Sequence, residues 1–66
     1  MISYNYTPHS KRIEGGKEKY YRQGQCLSSD TKPTDLANGS TLIEMDTGKM
    51  YMFDAENSTW IAYGGD

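Results

Sequence analysis

The C-terminal part of the chain sets the fold class. Thr41–Met45, Met50–Phe53 and Thr59–Tyr63 are short runs of β-branched, aromatic and long apolar residues, separated by Asp46-Thr47-Gly48-Lys49 and by Asp54-Ala55-Glu56-Asn57-Ser58. Each run is too short for a helix and long enough for a strand, and the separators are rich in turn formers, so the segment reads as a three-stranded meander. No stretch of ten residues carries an apolar stripe at i, i+3, i+4 and i+7, and seven glycines spread along the chain oppose any long helix. The expected class is all-β: a small antiparallel sheet built on this meander with an N-terminal strand or hairpin added.

At 66 residues the chain makes one small β domain. It divides into an N-terminal strand or hairpin (1–26), a loop (27–40) and the meander (41–63). A chain of this length buries only about 60% of the surface its unfolded form exposes, so its core is thin. A single Cys26 excludes an intramolecular disulfide, and a single His9 leaves no familiar zinc set, which makes oligomerisation the remaining staple. The longest purely apolar run, Met50 to Phe53, is far too short for a signal core or a membrane span. Secretion by a signal peptide and a membrane partner are therefore not expected.

Upstream of the meander, Met1 to Thr7 alternates Ile2, Tyr4 and Tyr6 with Ser3, Asn5 and Thr7, the pattern of a half-buried strand that Pro8 stops. Gly15-Gly16 lies between two charged arms, as in a second hairpin or in a mobile loop leading to a strand near Lys19–Gln23. Leu27–Ser40 has no period; it is either functional or pinned to the domain by Pro33 and Leu36.

Asp46-Thr47-Gly48 is the tripeptide that carries the catalytic aspartate in aspartic proteases, yet each of its residues has a backbone task here. Asp and Thr suit the centre of a type I turn, and Gly48 supplies the positive φ of a three-residue hairpin loop with a bulge. A protease would need a pair of such carboxylates across a deep cleft, with flaps that this chain has no residues to build. Asp54 is expected to bond to the amides ahead of it and Asn57 to take the left-handed conformation that closes the next loop. The reading is of a protein without catalytic residues, cofactor or metal. The acids lack the spacing of a calcium loop, no P-loop glycine pattern is present, and one His beside scattered Ser and Asp makes no triad.

With that bulged register, Ile43, Tyr51, Phe53 and Trp60 fall on one face of the meander and Leu42, Met50, Met52, Ile61 and Tyr63 on the other. Both faces are apolar, whereas a meander with one solvated face would alternate with polar residues. Tyr4 and Tyr6 are expected to join Tyr51, Phe53 and Trp60 in an intramolecular core. Another chain is then the natural cover for the second face, which makes Met50, Tyr51, Met52, Trp60 and Tyr63 the candidate protein-binding residues and Met50, Met52 and Tyr63 the favoured contact between chains.

Thr31–Tyr63 resembles small phage and prophage proteins of Gram-positive bacteria, and also short β repeats of phage tail and fibre proteins. In these Asn-Gly-Ser, Asp-Thr-Gly-Lys-x-Tyr, an Asp-led loop and a Trp recur in this order; here they stand at 38–40, 46–51, 54 and 60. The resemblance covers half the chain and implies a phage origin, a location in the virion or host cytoplasm, and a structural or adhesion role in capsid or tail, with a capsid or tail protein, or the protein itself, as partner. It names no catalytic residue. The alternative is a small inhibitor of a bacterial defence system, anti-CRISPR-like, a nuclease blocker or a signalling-nucleotide sponge, in which Asp30, Asp35, Glu44, Asp46, Asp54, Glu56 and Asp66 would imitate nucleic acid. Residues 1–29 carry a net charge of +3 and residues 30–66 one of −5. Lys17, Lys19 and Arg22 interleave with Tyr20 and Tyr21, the mixture that grips nucleic acid, but Glu14 and Glu18 sit in the same patch and the pI is about 5.2, which argues against that partner.

Overall fold

The computed structural model describes residues 1–63. Seven strands form in chain order: β1 (Ser3–Tyr4), β2 (Lys11–Glu14), β3 (Lys17–Tyr20), β4 (Gln23–Cys26), β5 (Thr41–Glu44), β6 (Met50–Asp54) and β7 (Thr59–Ala62). β2 and β3 make a separate hairpin closed by Gly15 and Gly16, whose φ values of 58° and 78° suit a two-residue hairpin turn. The other strands form one five-stranded sheet in the order β1-β4-β5-β6-β7. The all-β class, the hairpin and the C-terminal meander are as the sequence predicts.

One junction is parallel: β4 pairs with β5 from Gln23↔Thr41 to Cys26↔Glu44. Parallel neighbours need a crossover, and Leu27–Ser40 is that connection. The pinned reading of this loop holds. Leu36 and Ala37 are buried, and the Pro33 carbonyl accepts a hydrogen bond from Trp60 Nε1 at 2.8 Å. At its C-terminal end the Ala37 amide donates to the Tyr20 carbonyl, Ser40 Oγ donates to the Ala37 carbonyl and accepts from the Arg22 amide, and Gly39 and Phe53 extend the β5–β6 ladder. A segment without regular structure is thus tied to the sheet at its end by backbone hydrogen bonds of the kind a strand makes.

The crossover lies over the sheet face that presents Cys26, Leu42, Glu44, Tyr51, Phe53 and Trp60. The core sits between these layers: Cys26, Leu36, Ala37, Leu42 and Phe53 are buried, and Phe53 and Trp60 pack with ring centroids 5.0 Å apart. Burying one such leucine or phenylalanine stabilises by about 1.5–3 kcal/mol.

Two expectations are corrected. The N-terminal strand is only Ser3–Tyr4, and Tyr4 and Tyr6 stay outside the core, 43% and 91% exposed. The partner of β1 is the polar strand β4, Ser3 facing Gln25 and Tyr4 facing Gly24, so β1 ends where β4 does, well short of Thr7. The β5 register is also shifted by one. Leu42 faces Tyr51 and Ile43 faces Met50, so Leu42 belongs to the covered face and Ile43 to the other. The cause is the turn: Glu44 and Lys49 still pair, through the Glu44 amide and the Lys49 carbonyl at 2.8 Å, which leaves a loop one residue longer than a three-residue bulged turn.

Gly24 marks the closest approach of β1 to β4. A Cβ there would run into the Ser3 carbonyl oxygen and lie 3.1 Å from both Cα and Cδ1 of Tyr4. Gly24→Ala is therefore expected to push β1 off the sheet, costing roughly 1–3 kcal/mol. Thermal melting would read the loss. Faster hydrogen exchange at the Asn5 amide, which donates to the Gln23 carbonyl at 2.7 Å, would locate it; unchanged exchange there would refute the account.

Candidate protein-binding surface

The covered face is tied down by polar side chains. Lys32, from the crossover, reaches Glu44 with Nζ 2.6 Å from Oε2, and its ammonium also lies 4.4 Å from the centroid of the Tyr51 ring. Thr47 Oγ1 donates to the other Glu44 oxygen at 2.7 Å. Hydrogen bonds from Lys32 and then Thr47 hold the Glu44 carboxyl below its ordinary pKa. Burial acts to lower the Lys32 pKa, but the bond to Glu44 and its charge outweigh this and raise it. Cys26 beside them is buried, and burial pushes its thiol up, away from the reactive thiolate.

The Asp-Thr-Gly tripeptide has its place in this frame. Asp46 accepts hydrogen bonds from the Ser28 amide at 2.9 Å and the Ser28 hydroxyl at 2.5 Å, which joins the β5–β6 turn to the start of the crossover. The Gly48 amide bonds the Glu44 carbonyl, and Gly48 sits at φ 75°. In the next turn Asp54 accepts from the amides of Glu56 and Asn57, as expected. Ser58, not Asn57, takes the positive φ, at 51°. Asn57 instead donates its side-chain amide to Asp54 at 2.8 Å, a bond that fixes it one position before the reversal.

The opposite face is built differently. Cross-strand rows Ile43–Met50–Tyr63 and Thr41–Met52–Ile61 run over β5, β6 and β7, the Tyr63 amide closing the first row on the Met50 carbonyl. Ile43 is 44% exposed, Met50 36%, Ile61 48% and Tyr63 57%, so no layer covers them. Met52 and Ile61 line a shallow groove of about 350 Å³ with Asn38, Phe53, Asp54 and Tyr63. Toward β1 the same face continues as Gln23, Gln25 and Ser3, with Gln25 donating to Asn5. Asp54, at the end of β6, is the one charged strand residue on this face of the five-stranded sheet.

Of the candidate residues, then, the structure brings Met50, Met52 and Tyr63 together and adds Ile43 and Ile61. It places Tyr51 and Trp60 on the covered side, where Lys32 and Pro33 engage them. The sequence signal for Ile43 is its alternation with Leu42 and Glu44 in β5, masked by the turn length.

Three of the cations of the basic segment have partners within the chain. The Arg22 guanidinium lies 5.1 Å from the Tyr20 ring centroid and 6.0 Å from that of Tyr4, and Arg12 lies 5.6 Å from that of Tyr21. Lys11 pairs with Glu18 at 3.2 Å. Among the acids, Asp30 holds the Leu27 amide and the N-terminal ammonium, while Glu44, Asp46 and Asp54 serve the frame just described. Asp66 lies outside the described residues. Glu14, Lys19, Asn38 and Glu56 border an open cleft of about 430 Å³, across which Glu14 accepts the Asn38 amide. Among the described residues no three His, Cys, Asp or Glu side chains gather as a metal-holding group. Comparison with known proteins finds no matching family model, curated protein or solved structure.

Two expected outcomes follow from the frame. Gly48→Val forces a β-branched residue to positive φ and should cost roughly 1–2 kcal/mol or more. Asp46→Asn keeps an acceptor for Ser28 and should lower the melting temperature less than Gly48→Val does; a larger loss would mean that the charge of Asp46 is itself required. The carboxyls of Asp30, Glu44, Asp46 and Asp54 are all held below their ordinary values by hydrogen-bond donors. The unfolded chain therefore binds more protons in acid, so their contribution is complete above the unfolded carboxylate range near about pH 4 and is lost as pH falls through the lower folded values. Melting curves between pH 7 and pH 2 should be level down to about pH 5 and then fall. A melting temperature constant to pH 2 would contradict this.

Proposed function

We propose that the protein is a non-enzymatic phage protein that acts through the open face of its sheet, as an accessory structural or adhesion component of the virion bound to a capsid or tail protein. The observation that carries this reading is the exposed patch Ile43, Met50, Ile61 and Tyr63, with half-buried Met52 among them, on a face with almost no charge. An apolar patch rimmed by neutral polar groups suits a protein surface of like character, and Met and Tyr adapt to such partners well. The same absence of cations makes this face unsuited to a phosphate backbone. The likeness of Thr31–Tyr63 to small phage proteins and tail or fibre repeats supports the setting.

Phage particles carrying the wild-type gene or Met52→Lys, analysed by mass spectrometry after purification, test the reading. Met52 is half-buried at the groove with its face open, so the free variant should keep its stability to within about 0.5 kcal/mol. Placing a lysine in a desolvated contact should deplete it from particles at least tenfold. Absence of the wild-type protein from particles would remove the virion role and favour the defence-inhibitor alternative. Equal incorporation of Met52→Lys would place the contact elsewhere.

A further inference from the structure

The sheet ends at β7 in an edge that no strand among the described residues covers. In the β6–β7 ladder the Tyr63 amide donates to the Met50 carbonyl, and the register runs unbroken from Tyr51↔Ala62 to Asp54↔Thr59. Alternate residues of an antiparallel strand direct their backbone groups to opposite sides. Thr59, Ile61 and Tyr63 therefore bond inward to β6, while the N–H and C=O groups of Trp60 and Ala62 point away from the sheet. No strand among the described residues pairs with them.

Natural sheets blunt such edges with charges, proline, bulges or very short strands. The other edges here follow that rule. β1 is two residues long and is followed by Pro8, and the hairpin strands carry Lys11, Arg12, Glu14, Lys17, Glu18 and Lys19. Thr59-Trp60-Ile61-Ala62-Tyr63 has no charge, no proline and no bulge, and Ile61, Ala62 and Tyr63 are exposed.

We propose that a second copy of the chain pairs with this edge, β7 against β7 in antiparallel orientation about a two-fold axis through Ile61. The register follows from which groups are free. Trp60 of each copy exchanges both backbone hydrogen bonds with Ala62 of the other, and Ile61 faces its own counterpart as a non-hydrogen-bonded pair, the geometry that brings side chains closest. This arrangement is self-complementary, as an isologous contact has to be. On the covered side the large Trp60 meets the small Ala62. On the open side Thr59 meets Tyr63 and isoleucine meets isoleucine, and no like charges are opposed anywhere along the segment. A one-residue shift would turn inward-bonded groups toward the partner, and a two-residue shift would keep only one hydrogen-bonded pair within β7, Trp60 with Trp60 or Ala62 with Ala62, in place of two.

The pairing joins two sheets into one and sets their open faces side by side as a continuous, two-fold surface. It stands on the edge geometry alone, whether or not that surface takes a virion protein.

Ala62→Pro provides the specific test. It removes an amide that points outward and touches neither the β6 ladder nor the open face. In sedimentation over a concentration series, the wild type is expected to dimerise and Ala62→Pro to remain monomeric at the same concentrations with its melting temperature nearly unchanged. Met52→Lys, which alters the open face only, is expected to dimerise as the wild type does. Hydrogen exchange in the wild type gives a readout that does not depend on a variant folding. Protection of the Trp60 and Ala62 amides should rise at least tenfold with concentration, while the amides of Thr59, Ile61 and Tyr63 stay protected at every concentration. A wild type that is monomeric throughout, or exchange at Trp60 and Ala62 that ignores concentration, would overturn the proposal. So would a dimer that survives Ala62→Pro but is abolished by Met52→Lys, which would mark a face-to-face contact and leave the reading of the open face standing.

Discussion

Everything in this fold depends on covering one face of a sheet with a crossover that has no regular structure of its own. A helix would bring its own backbone hydrogen bonds to that position; Leu27–Ser40 has to find partners elsewhere. The Lys32–Glu44 pair is the link on which its placement turns. Glu44 stands on β5 beside Cys26, directly among the buried residues, and a carboxylate there without Lys32 would be a buried charge facing apolar neighbours. Such a pair adds little net stability over an apolar substitute, since desolvation offsets most of the attraction. What it does supply is position. The placement of the crossover brings Lys32 to Glu44, sets its ammonium over the Tyr51 ring and leaves the Pro33 carbonyl under Trp60 Nε1.

Much of this was legible in the sequence and the reasons for the rest are physical. The meander and the Gly15-Gly16 hairpin announce themselves because turn residues and apolar runs agree there at every level. β4 does not, because Gln23-Gly24-Gln25-Cys26 lacks the branched and aromatic residues that mark strands; it is a strand because β1 and β5 pair with it on both sides. A trace existed in the alternation of small Gly24 and Cys26, both buried, with the two glutamines. The parallel junction was hidden for the same reason, since without β4 the crossover looks like a plain loop.

The open face shows how a single turn can misdirect a reading of function. Counting a bulge at Gly48 moved Leu42 to the surface and Ile43 inside, although every residue of the turn was assigned a sensible task. The loop is a residue longer because Glu44 and Lys49 remain paired, and Glu44 is held in place by Lys32 and Thr47. Tertiary contacts thus chose the turn. Met50, Met52 and Tyr63 share a face in either register because they lie on β6 and just past the end of β7, whose pairing does not depend on that loop. Tyr4 and Tyr6 failed for another reason: alternation says that a strand has two sides, not that either side is covered.

The distribution of polar and apolar groups bears on why so small a chain keeps an uncovered apolar face. A thin core leaves little stability to spare, and a monomer with nothing to bind would do better with threonine or glutamine at Ile43 and Ile61, as the β1–β4 half of the same face already has at Gln23 and Gln25. The polar half shows that this sheet tolerates solvent there. On the covered side, meanwhile, positions are held by an ion pair, an indole hydrogen bond and carboxylates on backbone amides rather than by additional apolar bulk. Large apolar residues are therefore concentrated on β5, β6 and β7 beyond what the core uses, next to an edge without charge. In a protein of this size that surplus is the surface that the proposed strand pairing and the proposed partner contact would bury.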